Sequence, residues 1–589
     1  MPRRFAVLPN LRHLGPYLGR YRRDLTVGYL HLLAKTACEL TIPWLLKRGI
    51  DQVAAGASAG TLVHTAGWIL LASAGAGIFM YNMRWAIIGA SRKIEYDLRN
   101  DFFGHLVGLS LPFFQRNRTG DLMARATNDL NAVRDVVGPG VMYALGTATS
   151  VIASVVLMAR IDWLLTVAVL IPFPIMAFLV ARFSQEVHRR SLVVQDEYGR
   201  LQNSAQENLA GIRVVQSNTQ EEAELLHFEE RSQAYVQANV ALIRYRALFF
   251  ATVAAVVGTG ALVLLWVGGA RTIGGQMTLG EIVAFMAYLS QLTWPFIATG
   301  WVASLVQRGE AAMQRMREIW EVRPEVPSGE IAPPRPIRGE LRFEGVSFTY
   351  ADGTEALRAI DLEVPAGSTV AVVGRTGSGK SSLVSLIPRL QDPSRGVVRL
   401  DGRDLRELDL RALRAAIGVV PQDGFLFSDT LANNIRFGND QATDEEVERV
   451  VRMAGLEDEV RSFPRGLRTR VGERGITLSG GQRQRTALAR ALLKDPEVLI
   501  LDDALAAVDK ETEANLLETL RQIGRSRTLV IIAHRISTVR DADQIVVLDH
   551  GRILERGTHT DLLARRGTYA EMARQQELAE QLEATDVGG

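Results

Sequence analysis

The chain has 589 residues, a single cysteine and a formal net charge of +2 at pH 7. A chain of this length should contain more than one domain. Its near-neutral charge gives no electrostatic reason to expect nucleic acid binding. The lone Cys38 excludes an intramolecular disulfide and fits a soluble part in the cytoplasm. A mean hydropathy of +0.06 with 22% charged residues indicates a membrane half joined to a soluble half.

The first 24 residues are basic, with six arginines and no long apolar core. A secretory signal peptide requires an apolar core and a cleavage site of small residues, so this segment is not expected to be one. We predict a basic helix at the membrane interface over residues 1–24. Such a helix places the N-terminus in the cytoplasm.

Six apolar segments follow, each close to the roughly 20 residues that cross a bilayer as a helix. Arginine is frequent in the two long connecting stretches and sparse in the short ones, which agrees with a cytoplasmic N-terminus. The long stretches are predicted to continue the membrane helices into the cytoplasm. The predicted spans are residues 25–46, 62–84, 138–160, 162–183, 247–271 and 281–305, within a transmembrane domain over 25–322.

The pattern changes after the sixth span. Five prolines between residues 324 and 336 predict a semi-rigid linker over 323–338. Beyond it, strand-like runs alternate with helical patterns, which is typical of an α/β domain. We place that domain at 339–575 and a charged tail at 576–589.

A glycine-rich loop lies between an apolar run and a helical segment, with the spacing G-x-x-x-x-G-K-S over Gly374–Ser381. Glycines let consecutive backbone amides face a phosphate chain, and the helix start adds its positive dipole end. Lys380 supplies a charge for the β and γ phosphates, and Ser381 a hydroxyl ligand for Mg²⁺. The predicted ATP-binding residues are Gly374, Arg375, Thr376, Gly377, Ser378, Gly379, Lys380, Ser381 and Ser382, together with Tyr350, whose ring can stack on adenine.

Further polar residues follow apolar runs in a fixed order. Gln422 can reach Mg²⁺ and water. Asp502 is placed to hold Mg²⁺, Asp503 to polarise an attacking water, and His534 to hydrogen-bond the γ-phosphate. Each residue alone is more often structural, and it is the ordered set that indicates a nucleotide site. A serine and two glycines at a helix start form a second phosphate-binding surface, over Leu478, Ser479, Gly480, Gly481 and Gln482.

With these motifs, the chain resembles a half-transporter of the ATP-binding cassette (ABC) exporter superfamily over nearly its whole length. The resemblance implies six membrane helices fused to one α/β P-loop nucleotide-binding domain that uses ATP and Mg²⁺. Residues 118–122 and 211–215 match stretches near the two coupling helices. The implied motifs are the A-loop Tyr350, Walker A Gly374–Ser381, the Q-loop Gln422, the signature Leu478–Gln482, Walker B ending at Asp502, the D-loop Ala507–Asp509, the switch histidine His534 and the X-loop Val471–Gly475.

One departure from the family lies after the Walker B aspartate, where glutamate is usual and this chain has Asp503. Aspartate is one methylene shorter, and misplacement by about 1 Å can cost ~10²-fold in rate. We therefore predict slow hydrolysis at a site that uses Asp503. The alternative is that the water geometry adjusts and aspartate serves nearly as well.

Family cassettes dimerise head to tail, so each ATP lies between the Walker A loop of one and the signature of the other. This chain would supply one poor site and complete a good site on a non-identical partner. That resembles the degenerate-site subunit of bacterial heterodimeric multidrug exporters, in the inner membrane with the cassette in the cytoplasm. The retained His534 argues against this reading, and a slow homodimer stays open. An ATP-binding membrane switch that does not pump is the rival from another class.

Candidate cargo residues lie in the first and sixth spans. Lys35 and Glu39 are four residues apart and so share one helix face. Ionisable groups at membrane depth face a cavity or each other, and both interpretations are open. Trp294 and Phe296 flank a proline, where ordinary packing is the alternative. The expected partners are hydrophobic or amphipathic drug-like or lipid-like cargo, membrane lipid and a second half-transporter.

Overall fold

The computed structural model describes residues 9–472, 475 and 478–586. Within them the chain forms two compact units. Unit 1 takes in the chain up to Val107 and the segment Arg118–Val322. Unit 2 takes in Gly108–Asn117 and the chain from Arg323 onward.

Unit 1 is built from long helices joined by short helical segments. The long helices are Arg22–Ala54, Ala59–Val107, Val141–Ile161, Pro172–Ala210, Glu221–Val263 and Leu279–Trp320. The short segments are Leu11–Leu14, Gly15–Arg20, Thr119–Ala124, Arg125–Asp129, Leu130–Asp135, Val136–Gly140, Trp163–Leu170, Ile212–Ser217, Leu264–Gly268 and Gly269–Ile273.

Four helical stretches of the described chain are long and apolar enough to cross a membrane: Ala59–Val107, Thr119–Ile161, Glu221–Ile273 and Leu279–Trp320. The helix Arg22–Ala54 is also long, but Lys35 and Glu39 lower the hydropathy of its apolar part. The predicted span over 162–183 runs from the helix Trp163–Leu170 into the helix Pro172–Ala210. Ile171 between them keeps helical angles, with φ −52° and ψ −40°, and Pro172, which lacks a backbone N–H, begins the second helix.

The basic segment before the first long helix differs from the single interfacial helix predicted over 1–24. Residues 1–8 lie outside the described chain, and two short helices separated from the long one at Tyr21 follow. The segment is held by Asn10, whose side-chain amide donates to Glu310 Oε1 at 2.7 Å. The backbone N–H of Asn10 donates to the same oxygen at 3.0 Å, which fixes the segment to the helix Leu279–Trp320.

The described part of unit 2 contains ten strands in two sheets. The strands are β1 Leu341–Thr349, β2 Glu355–Val364, β3 Thr369–Val373, β4 Arg395–Leu400, β5 Arg403–Asp404, β6 Ile417–Val420, β7 Val498–Asp502, β8 Thr528–Ile532, β9 Gln544–Asp549 and β10 Arg552–Gly557. One sheet is antiparallel in the order β2-β1-β4-β5, and the other has the order β10-β9-β3-β8-β7-β6. In the second sheet β10 is antiparallel to β9, and the remaining neighbours are parallel.

The described helices of unit 2 are Leu111–Arg116, Lys380–Ser385, Leu405–Glu407, Leu410–Ala415, Leu431–Arg436, Asp444–Met453, Glu457–Ser462, Gly466–Arg468, Gly480–Leu493, Lys510–Gly524, Ile536–Val539, His559–Arg565 and Thr568–Asp586. The domain end predicted at 575 falls inside the last of these.

The parallel sheet positions the site. Its central strands are continuous apolar runs buried on both faces, which is typical of a parallel sheet covered by helices. Ligands bind outside the carboxyl ends of parallel strands. At that edge β3 leads into the glycine loop, β7 ends at Asp502, and β8 is followed by His534.

A ten-residue segment, Gly108–Asn117, packs with unit 2 although the chain on both sides of it belongs to unit 1. Gln391 Nε2 donates to Gln115 Oε1 at 3.2 Å, and Val326 N donates to Ser110 Oγ at 2.9 Å. The segment contains the short helix Leu111–Arg116, just before the 118–122 motif. The cassette therefore holds a piece of chain that is continuous with two helices of unit 1.

Candidate functional site

The glycine loop turns so tightly that two of its positions accept glycine alone. Gly379 has a φ of 103°, and a Cβ there would lie 2.4 Å from the carbonyl oxygen of Ala356. A Cβ on Gly374 would lie 2.1 Å from the carbonyl oxygen of Leu548. Side chains at these positions would push the loop away from β2 and β9. The loop tip, residues 375–377, is exposed.

Lys380 lies at the base of this loop and is only 6% exposed. Its Nζ donates to the carbonyl oxygens of Gly374 at 2.8 Å and Arg375 at 3.0 Å. Burial lowers the pKa of the Lys380 ammonium group below its usual value, against the opposing charges of Asp502 and Asp503. The cation is thus held inside the loop where a phosphate chain would meet it.

Ser381 and Asp502 meet at the start of the helix that follows the loop. Ser381 Oγ donates to Asp502 Oδ1 at 3.3 Å. Burial raises the pKa of Asp502, and the charge of Asp503 adds to the rise. The hydrogen bond from Ser381 and the charges of Lys380 and His534 oppose it. A hydroxyl beside a carboxylate provides the oxygen ligands that Mg²⁺ prefers.

The loop also buries a polar atom that no described residue satisfies. Ser378 Oγ is buried and has no hydrogen-bond partner, and the residue is 3% exposed. Buried hydroxyls are normally hydrogen-bonded. Together with the glycine cradle and the Lys380 ammonium group, this donor fits the phosphates of ATP.

Tyr350 lies beside the same helix. Its hydroxyl and Ser382 Oγ are 2.8 Å apart, and its ring packs edge-on against Phe348 with centroids 4.8 Å apart. These two contacts fix the ring next to the glycine loop. A fixed ring in that place is suited to stacking on a base.

Asp503 and His534 lie on neighbouring turns after β7 and β8. Asp503 has a φ of 50°, and its backbone N–H donates to Ile532 O at 2.9 Å. This left-handed turn directs the chain away from the strand immediately after Asp502. His534 is exposed and its charge reaches Asp502. Gln422, also exposed, follows β6 at the same edge of the sheet.

The signature residues form a well-capped helix start. Ser479 Oγ accepts from Gln482 N at 3.2 Å, and Gln482 Oε1 accepts from Ser479 N at 3.0 Å. A Cβ on Gly481 would lie 2.7 Å from the carbonyl oxygen of Ala507, so the signature packs closely on the D-loop. Asp509 caps the helix Lys510–Gly524 through Thr512 N at 2.9 Å, and this amide lowers the pKa of Asp509. Glu473 and Arg474 of the predicted X-loop lie outside the described residues.

The signature and the glycine loop remain separate in this chain. Within the described residues, no hydrogen bond or ion pair joins Leu478–Gln482 to Gly374–Ser382. The structure thus brings Lys380, Ser381, Asp502, Asp503 and His534 to one place, and leaves the signature free to face another molecule.

Two glutamines that the sequence analysis did not single out hold these turns together. Gln576, on the helix Thr568–Asp586, donates to the carbonyl oxygen of His534 and accepts from Ile536 N at 2.7 Å. Gln484 is 8% exposed and lies one turn into the signature helix. The only sequence signal for Gln484 is its position two residues after the signature.

Gln484 joins the three loops around the site. Its Nε2 donates to Gln422 O at 3.5 Å and to Asp503 O at 3.4 Å, and its Oε1 accepts from Ala507 N at 3.1 Å. The side chain therefore links the Q-loop, the end of Walker B and the D-loop. Since these hydrogen bonds go to backbone atoms and none goes to a side chain proposed to contact ATP or water, Gln484 is a positioning residue.

We expect Gln484→Ala to lower the kcat of ATP hydrolysis about tenfold while the KM for ATP changes less than about twofold. Small displacements of catalytic groups reduce rate far more than binding, and the three loops would lose their common partner. Steady-state ATPase assays give both constants. Gln522→Ala, which removes an exposed glutamine from the helix Lys510–Gly524, is the matched control. A raised KM with unchanged kcat would contradict the positioning role.

Unit 1 contains a cavity of about 400 Å³. It is lined by three of the residues expected to contact cargo, Lys35, Glu39 and Trp294, and also by Gln291 and Arg84. Lys35 Nζ and Glu39 Oε2 form an ion pair at 2.6 Å. The two residues therefore face each other and also line the cavity. Phe296 belongs to the helix Leu279–Trp320, but its side chain lies outside the described part of the structure. The sequence analysis did not single out Arg84.

Known proteins resemble the chain over both units. The family model of the ABC transporter transmembrane region matches residues 25–296, and that of the ABC transporter matches residues 357–506. The chain is 37% identical over 571 residues to the probable multidrug resistance ABC transporter ATP-binding/permease protein YheI of Bacillus subtilis, covering 96% of this chain and 98% of YheI.

Two further similarities agree. The chain is 32% identical over 578 residues to the ATP-dependent lipid A-core flippase of Photobacterium profundum, covering 97% of this chain and 98% of the flippase. Among solved structures, a bacterial Atm1-family ABC exporter with ATP bound matches with a TM-score of 0.78 and 31% identity, over 94% of this chain and 98% of that one.

Proposed function

Because this chain belongs to the ABC transporters, as a half-transporter of the exporter type, we propose that it moves hydrophobic or amphipathic molecules outward as one subunit of a dimer. The membership makes it a multi-pass membrane protein with an ATP-binding cassette. The relative YheI is named for multidrug resistance and the relative from Photobacterium profundum is named a lipid A-core flippase, and the cargo proposed for this chain spans both classes.

The observation that supports ATP use most directly is the arrangement around Lys380. The ammonium group is held by two carbonyl oxygens of the glycine loop, and bound phosphates would replace these as its partner. Ser381 and Asp502 would hold Mg²⁺, which would neutralise charge on the phosphates. Asp503 and His534 lie at the same edge, where they can orient water and contact the terminal phosphate.

We propose that the site is completed in trans. The signature is an intact, capped helix start that makes no hydrogen bond to the glycine loop of its own chain among the described residues. A helix start with free amides binds anions. A second cassette facing it would place its own nucleotide there, and two nucleotides would close the dimer.

Closure of the cassette dimer can be transmitted to the membrane helices through the chain itself. The segment Gly108–Asn117 packs with unit 2, whereas the chain before and after it belongs to unit 1. Movement of the cassette therefore pulls on the helix Ala59–Val107 through a direct chain connection. Release of phosphate would remove the shared ligand and reverse the movement.

We further propose a non-identical partner that has glutamate where this chain has Asp503. A shorter carboxylate weakens hydrolysis at the site this chain builds, while its signature serves the partner's site. We place the complex in the bacterial inner membrane with both cassettes in the cytoplasm, in keeping with the bacterial relatives. A slow homodimer is the second candidate, favoured by the retained His534.

The test is ATP-dependent movement of a fluorescent amphipath, dansyl-undecanoic acid, in proteoliposomes. We would compare this chain alone with this chain co-purified with a homologous half-transporter that has glutamate after Walker B. Faster hydrolysis and flux with the partner support the heterodimer, and equal rates support the homodimer. Tight ATP binding without flux in either preparation would favour the non-pumping switch and overturn the export proposal.

A further inference from the structure

The cavity in unit 1 contains a cation that no other group of the described chain neutralises. Three of its lining residues are charged: Lys35, Glu39 and Arg84. Lys35 and Glu39 pair with each other at 2.6 Å. Arg84 makes no ion pair or hydrogen bond within the described residues. The cavity therefore has an excess of one positive charge.

Arg84 is the last residue of the second predicted span, 62–84, and is an exposed residue of the helix Ala59–Val107. In the antiparallel pair formed by Arg22–Ala54 and Ala59–Val107, Gly28 lies against Ile87 and Gly75 lies against Cys38. Arg84 is therefore about level with residue 30, some five residues or about 7 Å along the helix axis from the level of Lys35. An arginine near the end of a span can extend its long side chain to the interface or into a polar cavity, and Arg84 lines the cavity.

The rest of the wall suits an apolar body. Leu32, Met80, Met83, Met142 and Trp294 contribute apolar surface. Methionine side chains are flexible and polarisable, which suits ligands of varied shape. Gln291 and several hydroxyls give hydrogen-bonding capacity without charge. The wall thus combines adaptable apolar surface with one unpaired cation.

We propose that this cavity binds amphipathic molecules that carry an anionic group, and that Arg84 holds that group. The inference rests on the proposed export function and names its substrate class. A carboxylate, sulfonate or phosphate matches the forked donors of an arginine. A cationic amphipath would meet two positive side chains and one carboxylate already engaged by Lys35, so such cargo is disfavoured.

The experiment measures equilibrium binding to the purified full-length chain, in its complex if one is required, without ATP. The probes are dansyl-undecanoic acid and its methyl ester, which differ in one negative charge. The wild-type protein should prefer the acid. Arg84→Gln should weaken binding of the acid about tenfold and leave the ester nearly unchanged, because a charge-assisted hydrogen bond is lost. Arg84→Lys should retain most of the preference.

The matched control is Arg160→Gln, which removes an exposed arginine of unit 1 that does not line the cavity. It should leave both affinities unchanged. Equal weakening of acid and ester by Arg84→Gln, or no weakening of either, would overturn the inference. So would an equal loss with Arg160→Gln. The binding assay does not depend on transport. A failure of the export proposal would therefore appear in the flux measurement, and a failure of anion recognition would appear in the binding measurement.

Competition distinguishes the two sources of an anionic amphipath. Displacement of the dansyl acid by phosphatidic acid alone assigns the site to a lipid headgroup. Displacement by dodecanoate alone assigns it to a free amphipathic acid. Displacement by either competitor, or by both, supports the inference provided that Arg84→Gln weakens the binding of that competitor. Displacement by neither overturns it.

Discussion

Replacement of Lys380 by alanine is expected to lower ATP hydrolysis about 10²–10³-fold and to stop ATP-driven flux. The Lys380 ammonium group is the cation at the base of the glycine loop, and preorganised charge of this kind typically contributes about that factor. Ser378 and the loop amides would remain, so weak nucleotide binding should persist. A fluorescent ATP analogue and a steady-state ATPase assay measure the two effects.

The loss should come from the site and not from the fold. Burial lowers the pKa of Lys380, which means that its charged form is disfavoured where it lies, and alanine removes that cost. The melting temperature should therefore change by a few degrees at most. Near-normal ATPase in Lys380→Ala would exclude this loop as the phosphate site.

Lys494→Ala is the matched control. Lys494 is also a lysine whose pKa is lowered by burial, and its Nζ also donates to backbone carbonyl oxygens, including Ile417 O at 2.8 Å. It lies at the opposite end of β6 from Gln422. By the same reasoning, we expect Lys494→Ala to change the melting temperature about as little as Lys380→Ala does, and to leave the ATPase rate nearly unchanged because Lys494 lies away from the glycine loop. If both variants lost activity in proportion to melting temperature, the effect of Lys380→Ala would be structural.

The sequence predicts the parts of the site whose neighbours are close along the chain. The glycine loop and Lys380 form one continuous stretch. Asp502 and His534 follow apolar runs, and because parallel strands end at one edge of a sheet, their convergence could be inferred without coordinates. The comparisons confirm the ABC exporter family, its membrane and cassette halves, and the ATP-binding class.

Other features of the site depend on packing between segments that are distant in the chain, and no local pattern in the sequence predicts them. The hydrogen-bond partners of Gln484 are backbone atoms of three loops, so its only mark in the sequence is its position two residues after the signature. Gln576 lies about 40 residues from the histidine turn that it holds. Arg84 has the position of a charged end of an apolar segment in the sequence, and only the structure shows that it lines the same cavity as Lys35.

The second large effect concerns Asp503. We expect Asp503→Glu to raise hydrolysis at the site built by this chain about tenfold to 10²-fold. The longer side chain would reach the position that the family's glutamate occupies, and the gain reverses a misplacement of about 1 Å. The assay is ATPase activity of the complex with the partner's own Walker B residue neutralised, so that this chain's site is the one observed.

The backbone at Asp503 sets a limit on this gain. Its φ of 50° is left-handed, where aspartate is tolerated better than most side chains because it is short and polar. Glutamate should cost about 1 kcal/mol there, a drop of a few degrees in melting temperature for a domain of this size. A variant that is slightly less stable yet faster is the expected combination. A loss of stability without a gain in the rate of hydrolysis would show that the role of Asp503 is to stabilise the left-handed turn.

Asp503→Asn separates these roles, because asparagine tolerates the same left-handed turn and cannot act as a base. We expect it to keep the melting temperature and to lower hydrolysis at this site further. If Asn and Asp hydrolyse equally and Glu is faster, Asp503 contributes nothing as a base and the site is already silent in the natural chain. If all three hydrolyse at the same rate, the residue after Walker B does not limit hydrolysis here, and the argument for a non-identical partner fails with it.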